Sequence, residues 1–376
     1  MKLQFKTLCT ALAIATATLT AGAAAASDLP SSMTWSAYDV GSSGYVEASA
    51  VADALMRKHG LRIRIMPSGT SIGRLLPLKT GRVNYGWLAN EVYFATEAIY
   101  DFASQEWGPQ DLRVLLGRPA SFGVAVAADT GVKTFADLRG KRVAYVQANP
   151  SINIKTEAIL AFGGLTWDDV EVVNTPSYGA SLRGLVEGTV DAAGTVTTAA
   201  TIIELESSPR GLSWPPMPAD DAEGWARLES IAPIFASMDE TVGAGVSEDR
   251  PAALMSYRYP MITTYATTAA DEAYNLTKAV VEAFDLYKDV NAAMPRWDAT
   301  LSGKPPTDAP FHEGAIRYLK EIGVWTAEDD HWNEVRLERM RTVQAAWEAA
   351  MEEALDKQIP GNKWEEFWAE YRAKHL

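Results

Sequence analysis

The segment 41–45, Gly-Ser-Ser-Gly-Tyr, is built from residues that can hold a small anion without reacting with it. Its hydroxyl groups can donate hydrogen bonds, and a helix is predicted over 46–59. A glycine- and serine-rich turn at a helix start leaves backbone N–H groups free, and the helix dipole places partial positive charge there. Such a turn can hold a carboxylate. The structural alternative is that Ser43 is only the N-cap of the helix.

Polar turns of this kind recur at 67–71, 149–153 and 176–179, and each precedes a predicted helix. The stretches 34–89 and 142–196 both follow the order strand, turn, helix, strand, turn, helix, strand. Two βαβαβ halves of similar spacing predict an α/β protein with two lobes. We expect a ligand cleft between the lobes, where the helix N-termini face each other.

Residues for covalent or metal chemistry are sparse in the sequence. The only cysteine is Cys9, and the histidines are scattered at His59, His312, His331 and His375. No histidine has a partner at metal-ligand spacing, and no G-x-S-x-G or Walker-type motif occurs. The sequence therefore predicts no enzyme activity, no metal site and no cofactor. A glycosidase with paired carboxylates remains open, because acidic residues are plentiful.

The N-terminus has the pattern of a secretory signal peptide. Lys2 and Lys6 form a basic start, an apolar run covers 8–20, and small residues over 21–26 offer a cleavage site. We predict a signal peptide over 1–26 and a mature protein that begins at Ser27. Export of a chain whose mature part lacks cysteine favours a bacterial periplasm.

The charge of the chain limits its partners. The formal net charge is −14, which argues against nucleic acid and against an anionic membrane surface. No segment after the signal is apolar for long enough to span a bilayer, so the mature protein is not expected to be membrane-embedded. A small anionic ligand stays possible, because the local field of a pocket can oppose the global charge.

The strands predicted outside the two βαβαβ halves indicate that the chain returns to the first lobe. Strands are expected over 113–116 and 122–127 with a loop at 117–121, followed much later by a strand over 257–268. We therefore assign the chain as a signal peptide, the first part of lobe 1, lobe 2, the return part of lobe 1 and a C-terminal helical extension. These parts cover 1–26, 27–120, 121–250, 251–325 and 326–376.

An aromatic stripe marks the last predicted helix. Trp364, Phe367, Trp368 and Tyr371 recur at helical spacing. Packing of the stripe against its own domain is the favoured interpretation, and contact with a partner is the alternative.

The sequence resembles the TAXI family of solute receptors, which serve TRAP transporters. The stretches that carry the resemblance are 41–45, 66–76, 81–92, 129–143, 188–193 and 310–325. The resemblance implies a periplasmic binding protein with a two-lobe, type II-like fold. It further implies that the cleft closes on a small organic acid and that the loaded protein delivers this acid to an ion-gradient-driven TRAP permease.

The resemblance also implies which residues bind the ligand. The positions that match the family pattern are Ser42, Ser43, Gly44, Tyr45, Ser68, Gly69, Thr70, Ser71, Asn90, Ser151 and Asn153. Ser151 and Asn153 are expected to cap the facing helix of lobe 2, and Tyr178 is expected to form part of the cleft wall. The turn at 147–153 departs from the family, because Pro150 removes one N–H group. The segment after 327 extends past the usual family end.

Neither Arg74 nor Arg118 lies inside a polar turn. Either could pair with a ligand carboxylate, but a surface or lobe-stabilising role is favoured for both. Two other readings of the whole protein stay open. An ABC-type solute receptor has a similar two-lobe shape, and a periplasmic sensing module would pass the ligand to a signalling partner.

Overall fold

The computed structural model describes residues 29–376, so the predicted signal peptide over 1–26 lies outside the described residues. Ten strands form the sheets of this described part of the chain. They are β1 (Ser32–Ala37), β2 (Arg62–Pro67), β3 (Tyr85–Leu88), β4 (Leu112–Ala127), β5 (Arg142–Val146), β6 (Glu171–Thr175), β7 (Ala192–Thr195), β8 (Leu212–Ser213), β9 (Ala236–Glu240) and β10 (Ala252–Tyr265).

Twelve α-helices connect and cover these strands in residues 29–376. They are α1 (Ser43–His59), α2 (Ser71–Lys79), α3 (Glu91–Glu97), α4 (Pro150–Phe162), α5 (Tyr178–Glu187), α6 (Ala200–Ser207), α7 (Ala222–Ile231), α8 (Ala270–Glu282), α9 (Ala299–Ser302), α10 (Glu313–Glu321), α11 (Ala327–Asp356) and α12 (Trp364–His375). None of these helices is both long and apolar enough to cross a membrane.

The sheet order shows two α/β lobes. The strands follow the order β2-β1-β3-β10-β4-β7-β5-β6, with β8 beside β4 and β9 beside β10. In lobe 1, β1 is parallel to β2 and β3. In lobe 2, β5 is parallel to β6 and β7. Each lobe therefore repeats one βαβαβ unit, and the C-terminal ends of its strands lead to the helices that face the other lobe.

Two long antiparallel strands, β4 and β10, join the lobes. The N-terminal half of β4 pairs with β10 in lobe 1, and its C-terminal half pairs with β7 in lobe 2. The predicted loop at 117–121 is wrong, because Ala120 and Ser121 pair with Tyr257 and Ser256 of β10. Cross-strand pairing here overrides the weak strand propensity of the sequence. Paired crossing strands form a natural hinge for lobe motion.

The C-terminal extension is helical and packs on lobe 1. Trp364 and Trp368 are buried, and their indole N–H groups donate to the carbonyl oxygens of Ala103 and Ala98. The favoured interpretation of the aromatic stripe, packing against its own chain, is thus confirmed for these two residues. The buried Glu97 of α3 adds an ionic contact, because three arginines of the extension pair with its carboxylate.

Candidate functional site

Four helices begin at the boundary between the lobes, and short polar side chains cap all four. Ser42 Oγ accepts from the Tyr45 backbone N–H at 3.2 Å, and Thr70 Oγ1 accepts from that of Gly73 at 3.0 Å. In lobe 2, Asn149 and Ser177 cap α4 and α5 in the same way. Each cap satisfies one N–H group that helix geometry leaves without a partner.

Two of the predicted capping roles are wrong. The N-cap of α1 is Ser42 and not Ser43, whose hydroxyl donates to Glu47 Oε1 at 2.6 Å. The N-cap of α4 is Asn149, so Ser151 and Asn153 lie inside the helix. Asn153 exchanges two hydrogen bonds with the Val146 backbone of its own lobe. The departure at Pro150 explains the shift, because proline is favoured at the first position of a helix.

The turns of the two lobes touch directly. The Gly69 carbonyl oxygen accepts from Asn149 Nδ2 at 3.0 Å and from the Tyr178 backbone N–H at 3.1 Å. Ser71 Oγ donates to Asn149 Oδ1 at 2.8 Å, and the Gly179 backbone N–H donates to Asp39 Oδ2 at 2.8 Å. The structure therefore has its lobes closed, and the predicted ligand-binding residues of lobe 1 face those of lobe 2.

Other predicted residues lie around the same contact. Ser43 Oγ is 2.9 Å from Thr198 Oγ1 of lobe 2, and the Gly44 backbone N–H donates to Tyr259 Oη on β10 at 3.1 Å. Tyr178 is buried, and its hydroxyl is 2.6 Å from Thr195 Oγ1. Tyr45 and Ser68 are only half-buried. These predicted residues thus lie at the edge where the lobes meet, and the hydroxyls of Ser42 and Ser71 already form hydrogen bonds within the protein.

The two arginines noted in the sequence are fully buried, and a surface position is wrong for both. Arg74 Nε donates to Glu91 Oε1 at 2.8 Å. Arg118 donates to both oxygens of Glu47, at 2.7 and 2.5 Å. Both pairs lie within lobe 1. Because each guanidinium is neutralised by its own carboxylate, the lobe-stabilising interpretation fits the geometry better than a direct role in binding a ligand.

The buried ammonium group of Lys155 was not predicted from the sequence. Lys155 of α4 is fully buried, and its Nζ donates to Asn90 Oδ1 of lobe 1 at 2.8 Å and to Ser151 Oγ at 3.0 Å. Both partners are neutral, and Lys155 forms no ion pair with any residue of 29–376. Burial lowers the pKa of this ammonium group to about 7. At neutral pH a substantial fraction of this group is therefore uncharged, and an anion bound beside it would favour the charged form.

Aromatic rings and an acid surround this ammonium group. Nζ lies 4.7 Å from the ring centre of Phe122 and 4.5 Å from that of Tyr257, which favours the charged form. Asp308 Oδ2 accepts from Asn90 Nδ2 at 2.9 Å, so Asn90 bridges Lys155 and Asp308. Burial raises the pKa of the Asp308 carboxyl to about 7. Asn90, a residue predicted to bind the ligand, is therefore central to the interlobe network.

Tyrosines line the same region. The Arg74 guanidinium lies 3.5 Å from the ring centre of Tyr38, and the rings of Tyr178 and Tyr259 meet Tyr38 edge-on. Burial raises the pKa of the Tyr38 and Tyr178 hydroxyls, so both stay protonated and can donate hydrogen bonds. The arrangement can recognise a polar or anionic molecule by hydrogen bonds and one cation. Within the described part of the chain, no cluster of side chains could hold a metal ion.

The sequence does contain a signal for Lys155. It is the only basic residue in α4, whose other residues are mostly apolar and buried. A lone lysine on such a helix indicates either a side chain that reaches the surface or a functional charge. The long-range partners that decide between these interpretations, Asn90 and Asp308, cannot be read from the local pattern.

The two lobes and the strands that join them define the class of the fold, which is the two-lobe fold of periplasmic binding proteins. The sequence profile of the NMT1-like family matches residues 39–323. The chain therefore belongs to the NMT1-like family, which is part of the superfamily of periplasmic solute-binding proteins.

Several solved structures are similar to this chain. A protein from Bordetella bronchiseptica is 16% identical, with 80% of this chain and 91% of that chain covered and a TM-score of 0.47. The alkanesulfonate-binding protein SsuA from Xanthomonas axonopodis pv. citri, bound to MOPS, is 17% identical, with 78% and 84% covered and a TM-score of 0.44. A putative L-cystine ABC transporter protein from Listeria monocytogenes is 12% identical, with 72% and 96% covered and a TM-score of 0.40.

Proposed function

We propose that this protein is an extracytoplasmic receptor that captures a small organic acid in the interlobe cleft and delivers it to a membrane permease. The observation that carries the proposal is the buried ammonium group of Lys155, which has two neutral hydrogen-bond partners. A carboxylate that entered the opened cleft would neutralise this charge. The acid would take the place of the Asn90 carbonyl oxygen and would join the lobes in its stead.

The energetics of such a site are sufficient for useful affinity. Hydrogen bonds to a charged group contribute about 1.5–3 kcal/mol each, and a micromolar ligand needs about 8 kcal/mol. Hydrogen bonds from Lys155 and from a few donors at the cleft rim would together contribute this free energy. In this proposal the rim donors are the hydroxyls of Ser42, Tyr45 and Ser68, three of the residues expected from the sequence. Ser43, Gly44, Ser71 and Asn153 already donate to groups of the protein.

The proposal also extends to the class of permease that receives the ligand. The resemblance of 41–45, 66–76 and 129–143 to the TAXI receptors supports a TRAP-type permease driven by an ion gradient. An ABC permease is the alternative, and the match to the NMT1-like family, in place of a match to the TAXI receptors, supports it better than a TRAP-type permease. Transport by the reconstituted receptor and its permease distinguishes the two, because TRAP uptake needs an ion gradient and ABC uptake needs ATP.

The first test is a thermal-shift screen of the chain from Ser27 onward against organic acids and amino acids. A ligand that binds only the folded protein adds about 2.7 kcal/mol when present at 100 times its Kd. A carboxylate that raises the melting temperature and is recovered unaltered supports a transport receptor. A bound acid that is chemically converted would contradict the proposal, and so would binding confined to uncharged solutes.

A further inference from the structure

A cavity of about 540 Å³ opens beside the hinge, and we name it the hinge chamber. Its walls come from lobe 1, from the segment between α7 and β9, from both crossing strands and from α11 of the extension. The side chains and backbone that line it are Tyr93, Pro119, Pro233, Ile234, Phe235, Ala236, Ser256, Tyr257, Arg258, Pro306, Thr307, Asp308, Trp332 and Arg336. This volume suits a small organic ligand.

Arg258 supplies a cation that forms no ion pair within 4 Å with any carboxylate of 29–376. Its guanidinium donates to the backbone carbonyl oxygens of Gly117, Leu301, Pro305 and Pro306, at 2.6 to 3.3 Å. These four acceptors hold the group in place but carry no formal charge. Burial lowers the pKa of Arg258 to about 10 against the opposing effect of the Asp308 charge, which leaves it cationic at neutral pH. An anion in the hinge chamber would therefore meet a fixed positive charge that has no direct ion-pair partner.

The other charged groups of the hinge chamber do not oppose an anion strongly. Arg336 shares the Glu97 carboxylate with Arg339 and Arg372, so its charge is only partly neutralised and also favours an anion. Asp308 is the acid on this wall, and burial raises the pKa of its carboxyl to about 7. A substantial fraction of Asp308 is thus protonated near neutral pH and can itself donate a hydrogen bond to a carboxylate.

Aromatic side chains form much of the remaining wall. They are Trp332 of α11, Tyr93 of α3, Phe235 and Tyr257. The Tyr257 ring is held in place by stacking on Tyr259, with the ring centres 5.6 Å apart and the planes 11° apart. Rigid aromatic walls favour a flat ring by stacking or edge contacts.

We propose that the hinge chamber binds an aromatic carboxylate, with the carboxylate on Arg258 and the ring among Tyr257, Trp332 and Phe235. This site adjoins the one proposed at Lys155, because Tyr257 lines the hinge chamber and its ring centre lies 4.5 Å from Lys155 Nζ. The cation that would hold the ligand is different, Arg258 in place of Lys155. Residues of α11 line the hinge chamber, so a ligand there gives the C-terminal extension a role in binding.

Isothermal titration calorimetry of the chain from Ser27 onward with phenylacetate tests the proposal. Acetate has the charge without the ring, and phenylacetamide has the ring without the charge. We expect phenylacetate to bind at least tenfold more tightly than either. Equal binding of phenylacetate and phenylacetamide would overturn the assignment to Arg258, and equal binding of acetate would overturn the role of the aromatic wall.

Variants locate the binding event in the hinge chamber. Trp332→Ala should weaken phenylacetate at least tenfold, and Trp332→Phe should restore most of the affinity. Trp107→Ala is the matched control. Trp107, a residue of lobe 1, is half-buried like Trp332 but does not line the hinge chamber. If Trp332→Ala does not fold, Ala236→Trp fills the hinge chamber from an exposed strand position and should abolish binding. Unchanged affinity in the folded variants would overturn the proposal.

A last comparison separates this proposal from the proposed function. Trp332→Ala removes an aromatic side chain of the hinge chamber and keeps Lys155, Asn90 and Ser151 in place. We expect the acid found in the thermal-shift screen to keep its affinity in Trp332→Ala within about threefold, while phenylacetate loses at least tenfold. An equal loss for both acids would overturn a separate site at the hinge and would leave the function proposed for Lys155 in place.

Discussion

Lys155 Nζ in lobe 2 donates to Asn90 Oδ1 in lobe 1 at 2.8 Å, and this bond joins the two lobes at their buried centre. The Asn90 amide accepts a hydrogen bond from Lys155 but carries no charge that could balance the ammonium group. The bond therefore joins the lobes and leaves an electrostatic reason for an anion to bind beside Lys155.

Lys155→Met should separate binding from stability. Replacement of a buried charge by an apolar side chain of similar length is often neutral or stabilising, so the melting temperature should be unchanged or higher. Affinity for organic acids found by the thermal-shift screen should fall at least tenfold, measured by calorimetry. Lys141→Met, at a residue that lies outside the cleft in lobe 2, is the control. Retention of full affinity in Lys155→Met would contradict the assignment of Lys155 as the counter-ion.

Gly69→Ala should prevent lobe closure. A Cβ atom at Gly69 would lie 2.5 Å from Ser177 Cβ and 2.9 Å from Asp39 Oδ2, so the closed arrangement has no room for it. Each lobe can still fold, because the clash with Ser177 arises only between lobes. We expect acid affinity to fall more than tenfold, and the radius of gyration from small-angle X-ray scattering should no longer decrease on addition of ligand.

Gly361→Ala is the control for this prediction, since a Cβ there meets nothing within 4 Å. It should bind and close like the unmodified protein. Normal closure by Gly69→Ala would show that the lobes do not need to approach as closely as they do in this structure.

Ser42→Ala and Ser68→Ala should differ in their effects on stability. Ser42 caps α1 through the Tyr45 N–H group, and loss of such a cap costs about 1 kcal/mol. Ser68 Oγ has only long contacts to Thr70, at 3.4 and 3.5 Å, so its loss should change stability by less than about 0.5 kcal/mol. Urea denaturation measures both values.

The double variant should also weaken acid binding while the protein remains folded. Calorimetry of the double variant tests the proposed contribution of the rim hydroxyls. Unchanged affinity would remove Ser42 and Ser68 from the proposed binding site without affecting the case for Lys155.

Glu97→Gln should alter the acid sensitivity of the protein. Hydrogen bonds from Arg339 and Arg336 outweigh burial and lower the pKa of Glu97 from 4.5 to about 2, which corresponds to about 3 kcal/mol of stability. Between these pH values the unfolded chain binds a proton that the folded chain does not. The contribution is therefore complete above pH 4.5 and is lost as the pH falls towards 2.

Urea denaturation at pH 7 and pH 3 tests the predicted direction of this pH dependence of stability. Glu97→Gln should be less stable at pH 7 and should lose less of its stability on acidification. Glu370→Gln, at an exposed position on the same extension, should behave like the unmodified protein. An equal loss of stability on acidification for Glu97→Gln and the unmodified protein would show that Glu97 does not titrate in this range.

Local patterns in the sequence were sufficient for the repeat of the two lobes and for the helix starts near 42, 70 and 177. Caps, glycines and apolar periodicity act over a few residues, so they can be read without knowledge of the fold. The same patterns placed most predicted ligand-binding residues at the edge where the lobes meet. The exact cap was less certain, because Ser42 and Ser43, or Asn149 and Ser151, are equally suitable side chains.

The tertiary structure alone decided the course of β4 and the electrostatics of the cleft. Residues 117–121 have weak strand character, and they form a strand because β10, more than 130 residues later, pairs with them. Lys155, Asn90 and Asp308 are far apart in the chain and become a network only when the lobes pack. Burial, ion pairing and a shifted pKa depend on which distant groups surround a side chain, and such neighbours are a property of the fold.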